Sequence, residues 1–320
     1  MIARRDGPFA SRLYDRPARG GSVYRSAAGF SYHAGVEVLS EREWRGRASA
    51  HRDRVGAWIE PHLRRGREQV AHPVEDFLFT YYTFRPGRLL RWHPGAEVIL
   101  AGASSYGANY RDCAEGAVLD LELVLPQRTA AISWTRELLA ATASRPPYLG
   151  CFGMHEWAMV YRTPEVEIRH SSFPLRLSPE RIEEIVDQRG VRCGHFDAFR
   201  FFTPPARPLN VIQPTRERQR ELEQPGCLHA NMDLYKWAYK LSPLIGSELV
   251  ADCFALARDI RIVDMRASPY DLSALGYRPI QVETAEGRAE YATAQRAFTE
   301  RSAPLRRRLL QECDRLLALT

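Results

Sequence analysis

Apolar residues recur at helical spacing most clearly between Pro225 and Leu272. The pattern predicts a helix over residues 228–241, followed by a second helix that begins at Ser242-Pro243, because serine caps helix N-termini and proline suits the first turn. The second helix is expected to end near Arg266, before a further Ser-Pro pair. Its apolar stripe consists of Ile245, Leu249, Leu256, Ile260 and Val263. A helical hairpin is therefore predicted at the centre of the fold.

Charged residues interrupt this apolar hairpin. Asp252 and Asp259 lie within the stripe, and neither has an arginine or lysine three or four residues away. Because a buried carboxylate is costly without a partner, each is expected to pair with a group from elsewhere in the chain. We expect Asp259 to pair with an arginine of another helix and Asp252 to face a pocket. The preceding helix offers His229 and Asp233 one turn apart, with Trp237 on the same face, which makes the hairpin the candidate site.

Capping and breaking residues predict further helices. Ser40 and Glu43 form a capping-box pattern, which predicts a helix from Glu41 to about residue 60, with Pro61 kinking or ending it. Other helical segments are predicted after His72-Pro73, over residues 133–143 and 178–190, and from Thr284 onward, ending in an arginine-rich amphipathic helix over residues 304–319.

Strand signals are fewer. Alternating leucines and acids over residues 119–125 predict a half-buried strand, and residues 36–39 suit a short one. Residues 158–177 predict a small β-hairpin or meander around the Thr163-Pro164 turn. The expected fold is mainly α: a helical bundle-like domain with a minor β-hairpin or meander element.

The basic excess lies at the N-terminus. The chain has 45 Lys and Arg against 39 Asp and Glu, and residues 1–70 alone hold 14 basic and 8 acidic side chains, which accounts for the whole net charge of +6. Residues 1–35 are expected to form a flexible basic leader, and residues 36–320 a single mainly helical domain. Such a leader suits contact with DNA phosphates or a merely solvated surface.

Several classes of protein lack support in the sequence. The longest apolar runs are shorter than a membrane span, and the N-terminus lacks the apolar stretch of a signal peptide. The six cysteines form no Cys-x-x-Cys pair. Phosphate-loop, dinucleotide-binding and hydrolase-elbow motifs do not occur. A cytoplasmic protein is expected, with no membrane contact and no obligate protein partner.

A cysteine followed by a histidine and an acid occurs three times. The sets are Cys151, His155 and Glu156; Cys193, His195 and Asp197; and Cys227, His229 and Asp233. Such side chains bind iron, manganese or zinc, although these spacings match no known metal signature. The candidate metal ligands are His72, His155, His195, His229 and Asp197. Alternatively, the histidines donate to the acids and to backbone carbonyls in a polar core network.

Aromatic residues surround these acids. Aromatic walls beside a carboxylate suit an extruded nucleobase, above all a cationic alkylated one. At helical spacing, such residues are also ordinary core residues. The candidate base-binding residues are Trp157, Tyr161, Phe199, Tyr235 and Trp237.

Five segments carry a family resemblance: HPVEDFLFTYYTFRPGRLLRWHPG, GCFGMHEWAMVYR, HFDAFRFFT, QPGCLHANMDLYKWAYKL and DCFALARDIRIVDMRASPYDL. They resemble an actinobacterial family commonly labelled 3-methyladenine DNA glycosylase, over roughly residues 40–310. The resemblance implies a DNA-repair hydrolase that cleaves the N-glycosidic bond of an alkylated purine, with DNA as partner and no cofactor. One carboxylate would stabilise the oxocarbenium-like sugar and orient water, and the candidates are Asp252, Asp233 and Glu156.

Two other functions stay open. A metal-dependent helical enzyme would use the histidines and carboxylates above to hold iron, manganese or zinc. A nucleic-acid binding module without catalysis would use the acids only to stabilise its core.

Overall fold

Most of the regular structure of the protein is helical. The computed structural model describes residues 36–163 and 173–320. Helix accounts for 55% of the structure and strand for 7%, so the prediction of a mainly α fold with a minor β element is confirmed. The helices are α1 (Glu41–Glu68), α2 (Phe77–Tyr81), α3 (Pro86–Leu90), α4 (Leu121–Val124), α5 (Thr129–Ala143), α6 (Met154–Ala158), α7 (Pro179–Arg189), α8 (Phe196–Phe199), α9 (Gln219–Leu222), α10 (Leu228–Met232), α11 (Leu234–Leu241), α12 (Ser247–Arg266) and α13 (Ala285–Leu317). The predicted leader, residues 1–35, lies outside the described residues. None of the described helices is long and apolar enough to cross a membrane.

A small four-stranded sheet packs beside α1. Its strands are β1 (Glu37–Leu39), β2 (Val98–Ala101), β3 (Tyr110–Cys113) and β4 (Gly116–Leu119), in the order β1-β2-β4-β3. β1 runs parallel to β2, and the other neighbours are antiparallel. The indole of Trp44 in α1 donates to the carbonyl of Ala101 at 3.0 Å, which fixes the helix against β2.

The β elements differ from those predicted. β4 ends at Leu119, and the carboxylate of Asp120 accepts from the amide of Leu123 at 3.2 Å. This cap begins α4 where a longer strand was predicted. The hairpin predicted over residues 158–177 is wrong at its start, because α6 ends at Ala158 and turns follow to residue 163; residues 164–172 lie outside the described part.

The capping box at the start of α1 is confirmed. The Ser40 side chain accepts from the amide of Glu43, and the Glu43 carboxylate accepts from the Ser40 amide at 2.9 Å. The helix was predicted to kink or end at Pro61, but it continues to Glu68. Tertiary contacts hold this extension, because His62 and Arg65 both bind Asp76, which lies just before α2.

The predicted hairpin is the centre of the fold, with changed boundaries. The first predicted helix is split at Asp233 into α10 and α11, and the second begins at Ser247 rather than at Ser242. The predicted end at Arg266 is confirmed. α12 packs against α10, α11 and α13, so its apolar stripe lies in the main core.

Asp76 is expected to contribute more to stability than an exposed ion pair does. Its side chain is 11% exposed and binds Arg65 at 2.5 Å, His62 at 2.9 Å and the amide of His72 at 2.9 Å. Burial disfavours the carboxylate, but these hydrogen bonds outweigh burial and lower the pKa of Asp76. Asp76→Asn should therefore lower the free energy of unfolding by about 2 kcal/mol at pH 7, as measured by urea denaturation.

The contribution of Asp76 to the free energy of unfolding should depend on pH. Because the folded pKa of Asp76 is the lower one, its contribution is complete above the unfolded pKa of about 3.9 and is lost as the pH falls through the folded value. Asp259→Asn is the matched control, since Asp259 is 47% exposed and should cost less than about 1 kcal/mol. Equal losses in the two variants, or a difference that persists at low pH, would contradict the assignment.

Candidate functional site

The three segments that each carry a cysteine, a histidine and an acid meet at one cavity. Its volume is about 230 Å³. Its wall includes Cys151, Cys193, Cys227, His155, His195 and His229. Each cysteine lies at or just before the start of a short helix, namely α6, α8 or α10, so that each helix start directs a thiol and an imidazole into the same space.

The first group of charges at the cavity is centred on Asp264 of α12. His155 Nε2 donates to Asp264 Oδ1 at 2.9 Å, and His229 Nε2 lies 3.8 Å from Asp264 Oδ2. Arg261 donates to Asp264 Oδ2 at 3.1 Å and to Glu156 Oε1 at 3.1 Å. Asp264 is completely buried, so this carboxylate depends on His155 and Arg261 for compensation.

The protonation states of this group differ from residue to residue. Burial opposes the charge on Asp264, but His155, His229 and Arg261 outweigh it and hold the pKa of Asp264 well below its ordinary value. Burial also opposes protonation of His155, but Asp264 outweighs it and raises the pKa of that imidazole. For His229, burial and the neighbouring His155 lower the pKa to about 3, so this ring is neutral and can act as a metal ligand.

The second group is centred on Asp233, between α10 and α11. His195 Nε2 donates to Asp233 Oδ2 at 3.2 Å and lies 3.6 Å from Glu223 Oε1. Lys236 Nζ also binds Asp233 Oδ2, and the hydroxyl of Tyr82 donates to Asp233 Oδ1 at 2.8 Å. The Nδ1 atom of His195 is buried and has no hydrogen-bond partner.

The pKa values of the two carboxyls in the second group are shifted in opposite directions. Burial disfavours the charge on Asp233, but Lys236 and His195 outweigh it and lower its pKa far below the ordinary value. Burial and the neighbouring Asp233 raise the pKa of Glu223, and His195 offsets this rise only in part. The pKa of His195 is raised, because Asp233 outweighs the burial of the ring. One carboxyl is therefore held ionised and its neighbour is biased toward the protonated form.

The two groups adjoin through their imidazoles. The ring centroids of His155 and His229 are 4.4 Å apart, and those of His195 and His229 are 5.3 Å apart. Each group contains three residues with one possible ligand atom apiece, and these atoms lie within 4.8 Å of one another. The groups are His155, His229 and Asp264, and His195, Glu223 and Asp233. Among the described residues, these are the groups whose geometry suits a metal ion.

Two of the three predicted catalytic acids lie in these groups. Asp233 is the centre of the second group, and Glu156 binds Arg261 of the first. Asp252, expected to face a pocket, instead lies between Arg54 of α1 and Arg308 of α13 at 2.8 Å from each, with 29% of its side chain exposed. Its partners come from other helices as expected, but they place it in a surface ion pair away from the cavity.

The predicted partner of Asp259 is confirmed, because Asp259 of α12 binds Arg301 of α13, but the expected burial is wrong, since 47% of the Asp259 side chain is exposed. The remaining candidate metal ligands lie apart from the cavity wall or behind it. His72 accepts from the amides of Val74 and Glu75 through Nδ1, so its ring caps a turn. Asp197 binds Lys236 at 2.9 Å, which connects it to the second group.

The predicted base-binding aromatics are part of the core. Trp157, Tyr161, Tyr235 and Trp237 are buried, and Phe199 packs on Phe202 in a T-shaped contact. The ordinary-core interpretation therefore describes their surroundings better. Among the described residues, Tyr148 is the aromatic side chain that lines the cavity.

Sequence reasoning missed Asp264, Glu223, Arg261 and Lys236. Arg261 and Asp264 have the i, i+3 spacing of an ordinary surface pair, which concealed their burial. Lys236 carried one usable signal, since it is one of only two lysines in a chain rich in arginine and lies beside Asp233.

Comparisons with protein-family models, curated proteins and solved structures find no match to this chain. The fold and the site define a mainly helical protein with a buried histidine and carboxylate centre that opens on a cavity.

Proposed function

We propose that the protein is a metal-dependent enzyme whose metal is bound at this cavity by imidazoles backed by carboxylates. The observation that carries the proposal is the arrangement of His195. Its Nε2 faces Asp233, while its buried Nδ1 has no partner and the ring lines the cavity. In metal sites a ligating histidine commonly donates its other nitrogen to a carboxylate, which orients the ring and increases its basicity.

The neutral imidazole of His229 lies beside His195, with ring centroids 5.3 Å apart, and supplies a further ligand nitrogen. Imidazole with carboxylate suits iron, manganese or zinc. Such an ion supplies Lewis-acid chemistry, either by polarising a substrate oxygen or by activating a bound water. The chain's own residues orient the ligands and bind the substrate: Asp264 and Asp233 hold the rings, and Arg145 and Arg192 on the cavity wall suit an anionic substrate.

Metal analysis tests this proposal directly. Protein purified without chelator should contain iron, manganese or zinc in stoichiometric amount, measured by inductively coupled plasma mass spectrometry. His195→Ala and His229→Ala should each reduce the bound metal at least about tenfold, because a lost ligand removes much of the coordination free energy.

His93→Ala is the matched control. His93 is half-buried, binds the Tyr110 hydroxyl at 2.9 Å and lies outside both groups, so this variant should keep its metal. Circular dichroism checks that each variant is folded. Wild-type protein that binds none of the three metals, even after incubation with each, refutes the proposal.

The DNA N-glycosylase implied by the family resemblance is a second candidate. The cavity wall favours it, because the wall includes the Glu223 carboxyl and Tyr148. The Arg192 guanidinium lies 4.9 Å from the centroid of the Tyr148 ring. An aromatic ring can stack on a base, and a guanidinium can bind a phosphate. Release of 3-methyladenine from methylated DNA in the presence of chelator, lost in Glu223→Gln, would favour this candidate over the metal enzyme.

A further inference from the structure

Three thiols at the cavity are not used by the histidine and carboxylate groups. Cys151, Cys193 and Cys227 are free cysteines, come from three separate segments and line the same wall. Each precedes one of the three cavity histidines by two or four residues. The described cysteines outside this wall are Cys113, Cys253 and Cys313.

Hydrogen bonds reach two of the three sulfur atoms. The Cys193 thiol donates to the carbonyl of His195 at 3.7 Å. Cys151 Sγ accepts from Gln295 Nε2 at 3.2 Å. A neutral thiol is a weak acceptor, whereas a metal-bound thiolate is a strong one, and such hydrogen bonds tune iron–sulfur centres.

We propose that Cys151, Cys193 and Cys227 are the thiolate ligands of an iron–sulfur cluster in this cavity. The proposal rests on the proposed function and specifies its metal as iron. A single ion needs all its ligand atoms within about 4 Å of one another, as Zn–S bonds of about 2.3 Å require. Among the described residues, no group of three or more ligand atoms within 4.8 Å of one another includes a cysteine, so the three thiols are spread too widely for one ion. A cluster spreads its terminal ligands over several irons.

The fourth terminal position suits an imidazole. The Nδ1 atom of His195 is buried without a partner, and the ring shares the cavity wall with the three thiols. Imidazole replaces thiolate at some iron–sulfur centres. Each thiol must release its proton when it binds iron.

The test is anaerobic purification of the full chain, followed by reconstitution with ferrous iron and sulfide. Wild-type protein should contain iron and acid-labile sulfide in equal amounts, with a visible charge-transfer band and an electron paramagnetic resonance signal on reduction. Cys151→Ala, Cys193→Ala and Cys227→Ala should each lower the sulfide content at least about fivefold, and the triple variant should contain none.

Cys253→Ala is the matched control, because Cys253 is a fully buried thiol on α12 outside the cavity wall and should leave the cluster unchanged. Wild-type protein that binds metal without sulfide overturns the cluster and leaves the proposed function standing, whatever the variants do. Wild-type protein that binds no metal overturns both.

Discussion

Replacement of Asp264 by asparagine is expected to lower the free energy of unfolding by about 3–5 kcal/mol, because it removes one of the two carboxylates that compensate a buried guanidinium. Arg261 is 2% exposed and has Asp264 and Glu156 as its carboxylate partners. His155 would also lose the acceptor at 2.9 Å that raises its pKa. Chemical denaturation at pH 7, in the presence of chelator, measures the change without a contribution from metal binding.

Asp252→Asn is the control on the same helix. Asp252 also has two arginine partners, Arg54 and Arg308, but this ion pair is exposed and should contribute about 1 kcal/mol or less. A loss for Asp264→Asn as small as that for Asp252→Asn would show that the network around Asp264 adds no more to stability than a surface pair.

Replacement of Lys236 by methionine should be comparably destabilising, by about 3–5 kcal/mol at pH 7. The ammonium binds Asp233 and also binds Asp197 at 2.9 Å, so its removal leaves two carboxylates without their shared cation. Protonation of Asp233 would remove its uncompensated negative charge, so the pKa of Asp233 should rise toward and above its ordinary value in this variant.

A double-mutant cycle separates this coupling from lost packing. Lys236→Met combined with Asp233→Asn should cost clearly less than the sum of the two single changes, because the second change removes the uncompensated charge. Lys240→Met, one turn along α11, is the control: this exposed lysine packs over the Trp237 ring and should contribute about 1 kcal/mol or less. Strict additivity of Lys236→Met and Asp233→Asn would argue against a coupled pair.

Local sequence signals predicted those features that depend on neighbouring residues. The capping box needs only Ser40 and Glu43, and the end of α12 at Arg266 follows from the Ser268-Pro269 pair beyond it. The three segments with cysteine, histidine and acid were also visible, because these residue types are uncommon in such combinations. That these segments meet at one cavity depends on the tertiary structure, which residue spacing alone does not predict.

Prolines show how packing overrides a local signal. Helix was expected from Thr284 onward, with an arginine-rich amphipathic helix from Pro304, and the structure has one unbroken helix, α13, from Ala285 to Leu317. Buried side chains lie on both sides of this proline, including Phe298 before it and Leu309 after it. Burial along the whole length outweighs the one hydrogen bond that proline removes.

The acids were misjudged for a related reason. Asp252 and Asp264 both lie on α12, and only the position of neighbouring helices decides which one is buried. The arginines that pair with Asp252 at the surface come from α1 and α13, nearly 200 and more than 50 residues away in sequence. A helical wheel cannot distinguish such an acid from one that is fully enclosed.

The separation between His155 and Asp264 has a consequence for synthesis of the protein. These two residues are 109 positions apart, and Asp264 is the last of the two histidine and carboxylate groups to be translated. Until α12 has left the ribosome, the imidazole of His155 lacks the carboxylate that fixes it, and closing such a long loop is slow. The nascent chain therefore exposes Cys151, Cys193 and Cys227 before the cavity that they line is complete, and these thiols are open to oxidation until translation is nearly finished.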